Sequence, residues 1–159
     1  MEKTTNVVIA GLGGQGVLRA SDILAEVVFR AGLDVKKAEI HGMSQRGGSV
    51  SSDVRFGDEV LSPMVPEGEA DFLLVLTADQ VEPNRHVLSE SGVMITPDII
   101  PEGALSNARS INVALLGALS CHLDIDEAHW REAICANFSE KLQAANLRAF
   151  EIGREAVCV

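Results

Sequence analysis

Asn6-Val7-Val8-Ile9-Ala10-Gly11-Leu12-Gly13-Gly14-Gln15-Gly16-Val17 decides the class of the fold. The run Asn6 to Ala10 is short, β-branched and uninterrupted, the pattern of a fully buried strand. It passes into Gly11 to Gly16, which satisfies G-x-G-x-x-G, and then into a helical pattern. From Val17 to Ala31 the apolar residues Val17, Ala20, Leu24, Val27, Val28 and Ala31 recur at helical spacing, with Arg19, Asp22, Glu26 and Arg30 on another face. Gly32 stands where a C-terminal cap belongs. Strand, glycine loop, helix and glycine stop predict a Rossmann-like α/β fold with a mainly parallel sheet flanked by helices.

The glycines permit a tight turn, close approach of an anionic group to the backbone, and close packing of helix on strand. The helix N-terminus at Val17 adds unpaired N–H groups and the positive end of a dipole. Gly11, Gly13, Gly14, Gln15 and Gly16 are therefore candidate cofactor-binding positions. A nicotinamide enzyme would also place an acidic residue about 20 residues further on, to bind the ribose. Glu39 is roughly so placed, although a Glu at a strand end also serves by facing water or the neighbouring loop. A free-standing NAD(P)-binding protein thus stays open as an alternative.

A second stretch, Glu39-Ile40-His41-Gly42-Met43-Ser44-Gln45-Arg46-Gly47-Gly48-Ser49, suits neither helix nor strand. His41, Ser44, Gln45 and Arg46 all carry hydrogen-bonding groups. Gly47 and Gly48, directly after Arg46, would let successive N–H groups form an anion-seeking nest beside a guanidinium. The plainer alternative is a connection whose polar groups face water. If Val35 to Ile40 is the second parallel strand, the loops 11–16 and 41–48 converge on the sheet edge where open α/β folds bind ligands.

Beyond this loop, Val50, Ser52, Val54 and Phe56 alternate with Ser49, Ser51, Asp53 and Arg55, the period of a half-exposed strand. Gly57-Asp58 then predicts a turn into Glu59-Val60-Leu61-Ser62, an inserted β-hairpin. Ala70 to Thr77 and Val93 to Thr96 read as strands, Ala78 to Ser91 as a short helical stretch, and 99–110 as an irregular connection. Ile111 to Leu123 is apolar almost all round, a helix buried by its own sheet or by a partner chain. Two further helices are expected, from Asp124 to about Asn137 and from Ser139 to Ala156.

Composition narrows the function. The 159 residues are 47% hydrophobic and 23% charged, enough to bury a substantial aliphatic core. A net charge of −10 without a basic cluster speaks against nucleic acid and anionic membranes as partners. The start lacks the apolar core of a signal peptide, and no apolar run reaches membrane-spanning length, so a cytoplasmic location is expected. Cys121, Cys135 and Cys158 lack any Cys-x-x-Cys spacing, which excludes a self-contained four-cysteine cluster and predicts three reduced thiols. His86, His122 and His129 are scattered, and no triad, carboxylate pair or His-x-x-x-His metal motif is present, so no catalytic residue is assigned.

Together the motifs carry a resemblance. Gly11-Leu12-Gly13-Gly14-Gln15-Gly16-Val17, His41 through Val50, Ser62-Pro63, Ala70-Asp71 and Asn146 through Gly153 resemble the gamma-type chain of the 2-oxoacid:ferredoxin oxidoreductases over nearly the whole length. The His-Gly-Met-Ser-Gln form of the second motif resembles the indolepyruvate (arylpyruvate) branch; the pyruvate and 2-oxoglutarate branches are the alternatives. The resemblance implies one Rossmann-like domain over residues 1–159, acting as an accessory subunit inactive alone. In that family the complex decarboxylates a 2-oxoacid oxidatively to an acyl-coenzyme A and reduces ferredoxin. It further implies thiamine diphosphate, Mg2+ and iron–sulfur clusters in a large partner subunit, with ferredoxin met through the complex. No cofactor is then held by this chain alone, coenzyme A contact is possible in principle, and an isolated chain could pair with a second copy. Carried over residue by residue, Arg46, Gly47 and Gly48, with Ser44, Gln45 and His41, become the contacts to partner, cofactor or anion.

Overall fold

A computed structural model describes residues 3–41 and 48–158. Its elements are β1 (Thr5–Leu12), α1 (Val17–Arg30), β2 (Asp34–His41), β3 (Ser49–Gly57), β4 (Ala70–Val75), α2 (Val81–Asn84), β5 (Leu88–Ile95), α3 (Ile111–Ser120), α4 (Glu127–Asn137) and α5 (Glu140–Val157). The five strands form one sheet in the order β2-β3-β1-β4-β5. The strands β1, β4 and β5 are mutually parallel, whereas β3 runs antiparallel to both β1 and β2.

Paired residues share a face of the sheet, so the register assigns the layers. Val7 pairs with Val54 and Phe72, and Ile9 with Ser52 and Leu74. This face packs against the apolar stripe of α1 (Val17, Ala20, Ile23, Leu24, Val27, Val28) and against α3, with Trp130 of α4 and Phe150 of α5 behind them. Val8, Ala10, Leu73 and Val75 point to the other face, into a smaller cluster closed by Val65, Val81, Val87, Leu88 and Met94.

The apolar helix α3 is buried along its length from Asn112 to Ser120. Its cover comes from this chain's own sheet and α5. The crossing of α3 and α5 is backbone against backbone: a side chain at Gly153 would collide with the Ala114 carbonyl, and one at Gly117 with the Phe150 carbonyl. Beyond the crossing, Cys121 after α3 is joined by a disulfide to Cys158 after α5. That pairing corrects the expectation of three reduced thiols. The helices run in the same sense, which brings two cysteines 37 positions apart to the same end; only Cys135 is free among the described residues.

The sheet revises three further expectations. The strand β2 runs in the direction of β1 but does not neighbour it, because β3 lies between them. The hairpin is accordingly β2 with β3, from Asp34 opposite Gly57 to His41 opposite Val50, and residues 59–62 form no second arm. Residues 58–66 instead cross the second face as a strap held by polar groups. Asp34 Oδ2 accepts from Val60 N–H at 2.8 Å and Asp53 Oδ2 from Val65 N–H at 2.9 Å. The Arg55 guanidinium donates to the carbonyls of Ser62 and Met64 at 3.0 and 3.3 Å. Finally, the helix expected over 78–91 shrinks to α2 and its flanking 3-10 turns, because pairing with β4 draws Leu88 onward into β5. Among the described residues no helix is long and apolar enough to cross a membrane.

Candidate functional site

The chain leaves β1 at Leu12, turns through the glycines and enters α1, whose N-cap Gly16 has φ +85°, a conformation that favours glycine. Gly16 has no side chain to cap the helix, and its carbonyl accepts from Asn112 Nδ2 of α3 at 3.1 Å. The first turn of α1 is thereby fastened to the start of α3.

The two glycine-bearing loops meet. Gly13 N–H donates to the Gly48 carbonyl at 2.9 Å, and Leu12 and Gly11 pair with Ser49 and Val50 as β3 begins. This junction arises because β3 returns beside β1, which the expectation of a parallel neighbour did not foresee. His41, the last residue of β2, is exposed and lines a cleft of about 190 Å³ with Ile40, Ser49, Val50, Ser51 and Asn84. The structure thus brings His41 and Gly48 to the edge that carries Gly11, Gly13, Gly14, Gln15 and Gly16. Ser44, Gln45, Arg46 and Gly47 lie outside the described residues.

Part of the glycine loop is self-satisfied. Gln15 Oε1 accepts from Leu12 N–H at 2.7 Å, and Gln15 N–H donates to the Leu12 carbonyl at 3.1 Å. An added Cβ at Gly11 would meet that Gln15 oxygen at 2.8 Å, so the carboxamide lies directly over the turn. With Gly13 N–H given to Gly48, these donors are turned toward the protein itself.

Glu39 does not complete a nicotinamide site. With β3 interposed, β2 lies two strand spacings from β1, roughly 10 Å, instead of beside it. Its carboxylate accepts from Lys37 Nζ at 3.1 Å, and Lys37 also pairs with Asp22 of α1. The ribose-binding reading of Glu39 is therefore replaced by an ion-pair cluster on the outer strand.

One feature escaped the sequence reading. A crevice of about 400 Å³ opens beyond the C-terminal ends of β1, β4 and β5, lined chiefly by Gln15, Leu76, Pro97, Ile100, Leu105 and Ile111. Among the described residues, none that lines it is charged. Its one trace in the sequence is the aliphatic trio of the 99–110 connection, Ile99, Ile100 and Leu105, which packs against the main core.

The chain matches the pyruvate ferredoxin/flavodoxin oxidoreductase family over residues 6–101 and 97–156. It is 34% identical to indolepyruvate oxidoreductase subunit IorB of Thermococcus kodakarensis, over 97% of this chain and 96% of that protein. The 2-oxoglutarate:ferredoxin oxidoreductase of Magnetococcus marinus, solved with 2-oxoglutarate, coenzyme A and succinyl-CoA bound, superposes with a TM-score of 0.82. Identity to it is 26%, and the match covers 98% of this chain but 31% of that one. The keto/oxoacid ferredoxin oxidoreductase gamma subunit of Geobacter sulfurreducens shares the fold at a TM-score of 0.79 and 22% identity, covering 98% and 97% of the two chains. On the family match and the near-full-length likeness to IorB, the chain belongs to the pyruvate ferredoxin/flavodoxin oxidoreductase family.

Proposed function

We propose that this chain is the accessory, non-thiamine-binding subunit of a 2-oxoacid:ferredoxin oxidoreductase of the indolepyruvate (arylpyruvate) type. The observation that carries the reading is the near-full-length relationship to a subunit named for indolepyruvate oxidation. The Gly13–Gly48 bond supports it, since it joins the glycine loop to the end of the second motif at one sheet edge. The complex would decarboxylate the 2-oxoacid oxidatively, form an acyl-coenzyme A and pass electrons to ferredoxin. Thiamine diphosphate, Mg2+ and the iron–sulfur clusters would reside in the large subunit. One disulfide and one further cysteine are no ligand set for a cluster in this chain.

This chain would contribute the 41–48 rim, with Arg46 as the guanidinium for a carboxylate or phosphate of partner, cofactor or coenzyme A. Ser44, Gln45, Gly47 and Gly48 would stand beside it, and the 11–16 loop would hold that rim in place through the Gly13–Gly48 bond. The whole unit would work in the cytoplasm as one domain. Reconstitution tests the reading. The chain alone should give no 2-oxoacid-dependent ferredoxin reduction, and mixing with its large subunit should restore it; turnover without that subunit would refute it. Arg46→Ala in the assembled enzyme should cost about 1.5–3 kcal/mol in assembly or in kcat/KM.

A 2-oxoglutarate or pyruvate branch is the second reading, favoured by the likeness to the Magnetococcus enzyme. Rates of the reconstituted complex with indolepyruvate, 2-oxoglutarate and pyruvate separate the branches.

A further inference from the structure

We propose that the crevice between the glycine loop and the 97–111 connection is a socket for apolar side chains of the large subunit. The partner interface would then continue past the joined loops onto this wall, an extension that rests on the accessory-subunit reading above. The aliphatic side chains of the lining suit this occupant. In a chain of net charge −10, Leu76, Ile100, Leu105, Ala108 and Ile111 bound the crevice, and among the described residues none that lines it is charged. The described lining offers a carboxylate or phosphate no counter-charge in exchange for its hydration, whereas an apolar side chain gains by leaving water.

The wall is also set in advance. Pro97 and Pro101 restrict the backbone, Ile100 N–H donates to the Pro97 carbonyl at 3.0 Å, and Ala104 N–H donates to the Pro101 carbonyl at 3.0 Å. Docking onto a prearranged surface avoids much of the ordering cost of association. Position argues likewise. Gln15 belongs both to this crevice and to the glycine loop whose Gly13 bonds Gly48, so the socket is contiguous with the rim. In the Magnetococcus enzyme the matching region is 31% of a longer chain, so there the rest of the chain adjoins this fold covalently. For a separate subunit the equivalent neighbour is the large partner.

Ala108 is exposed and lines the crevice, so Ala108→Arg brings a charge to the socket without disturbing the core. Phe29 is 71% exposed near the far end of α1, roughly 18 Å along the helix from Val17, and Phe29→Arg serves as the control. Titration with the large subunit should show at least tenfold weaker binding for Ala108→Arg and unchanged binding for Phe29→Arg. Amides of residues 99–111 in the wild-type chain should gain protection from hydrogen exchange on assembly. Equal binding by Ala108→Arg, or no added protection over 99–111, overturns the socket while leaving the accessory reading standing. Failure of the wild-type chain to bind the large subunit overturns both. If sedimentation of the isolated chain shows a dimer that Ala108→Arg splits, a second copy is the occupant and the proposal is wrong.

Discussion

The two faces of the sheet are closed by different means. On the helical face, Val7, Ile9, Val54 and Leu74 meet a deep aliphatic layer that runs through α1 and α3 to Trp130 and Phe150, all fully buried. On the other face, Val8, Ala10, Leu73 and Val75 form a shallow cluster beneath short helical turns and the 58–66 strap. There the cover is fastened by Asp34, Asp53 and Arg55 acting on backbone groups, while Leu61 and Met64 remain 85% and 55% exposed. Apolar contact distributes a load over many atoms, each contributing little. A polar strap concentrates it in a few bonds, whose net worth is modest but whose half-loss is costly. The helical face should therefore set global stability, and the strapped face should open locally.

The largest effect is expected where the helical layer admits no extra atom. Gly153→Val would drive a side chain into the Ala114 carbonyl, a backbone group that cannot rotate aside. A loss of about 3 kcal/mol or more is expected, read as a collapse of the urea midpoint with the m-value retained or the fold lost outright. Reducing the Cys121–Cys158 disulfide should come next. It closes a span of 37 residues, for which chain entropy gives about 4 kcal/mol as an upper figure. Melting with and without reductant measures the loss, and Cys158→Ser should match the reduced protein and show no further response to reductant.

The same contrast accounts for what was legible in the residues. Wherever periodicity and burial coincide, sequence and structure agree: β1, the glycine turn, α1, α4 and α5 are where spacing and caps place them. Strand adjacency carries no such local mark. Val50 to Phe56 alternates as any half-exposed strand would, and only the return of the chain beside β1 made it the neighbour that separates Glu39 from the glycine loop. Residues 59–62 resemble a hairpin arm because Gly57-Asp58 offers a turn and Val60 and Leu61 are apolar, yet four residues before Pro63 are too few to hold a ladder against the polar strap. The disulfide was hidden for a different reason: its cysteines meet only through the parallel run of α3 and α5, which no sequence separation reveals. Of the candidate site, the convergence of the two loops was legible because strand direction alone fixes which sheet edge a loop occupies. The crevice was not, since its walls come from three separate segments, at Gln15, at Leu76 and over 97–111.

A smaller, local effect should appear on the strapped face. Arg55 donates from Nε to Asn6 Oδ1 at 2.9 Å, as well as to Ser62 and Met64. Arg55→Ala removes these charge-assisted bonds and should cost about 1.5–3 kcal/mol, chiefly as opening of residues 58–66. Hydrogen exchange of the Val60 and Val65 amides should quicken while amides of α1 and α3 keep their protection. Uniform acceleration across both faces would show that the sheet is one cooperative unit and the contrast misplaced.

The smallest effect, and the sharpest in sign, is the response to pH. Burial pushes the Asp53 carboxyl above its ordinary value, against the opposing influence of the Val65 N–H and Arg55. Protonation then favours the folded state. As pH rises from about 4 toward the raised folded value, the unfolded chain ionises first, and Asp53 withdraws stability that does not return at neutral pH. On the helical side, hydrogen bonds from Arg131 and Arg148 hold the Glu151 carboxyl below its ordinary value. Glu151 therefore contributes stability above the usual carboxylate range and loses it as pH falls through its lowered folded value. Because the Glu151 side chain is 41% exposed, solvent screening keeps this to less than about 1 kcal/mol. Asp53→Asn retains an oxygen for the Val65 N–H, so it should flatten the pH response of the strap and leave stability at pH 7 equal or slightly raised. Glu151→Gln should lower stability at pH 7 and converge with wild type in acid. Urea midpoints across pH 3 to 7 separate the two, since opposite signs are required of carboxylates on opposite faces; parallel curves would mean that charge does not distinguish them.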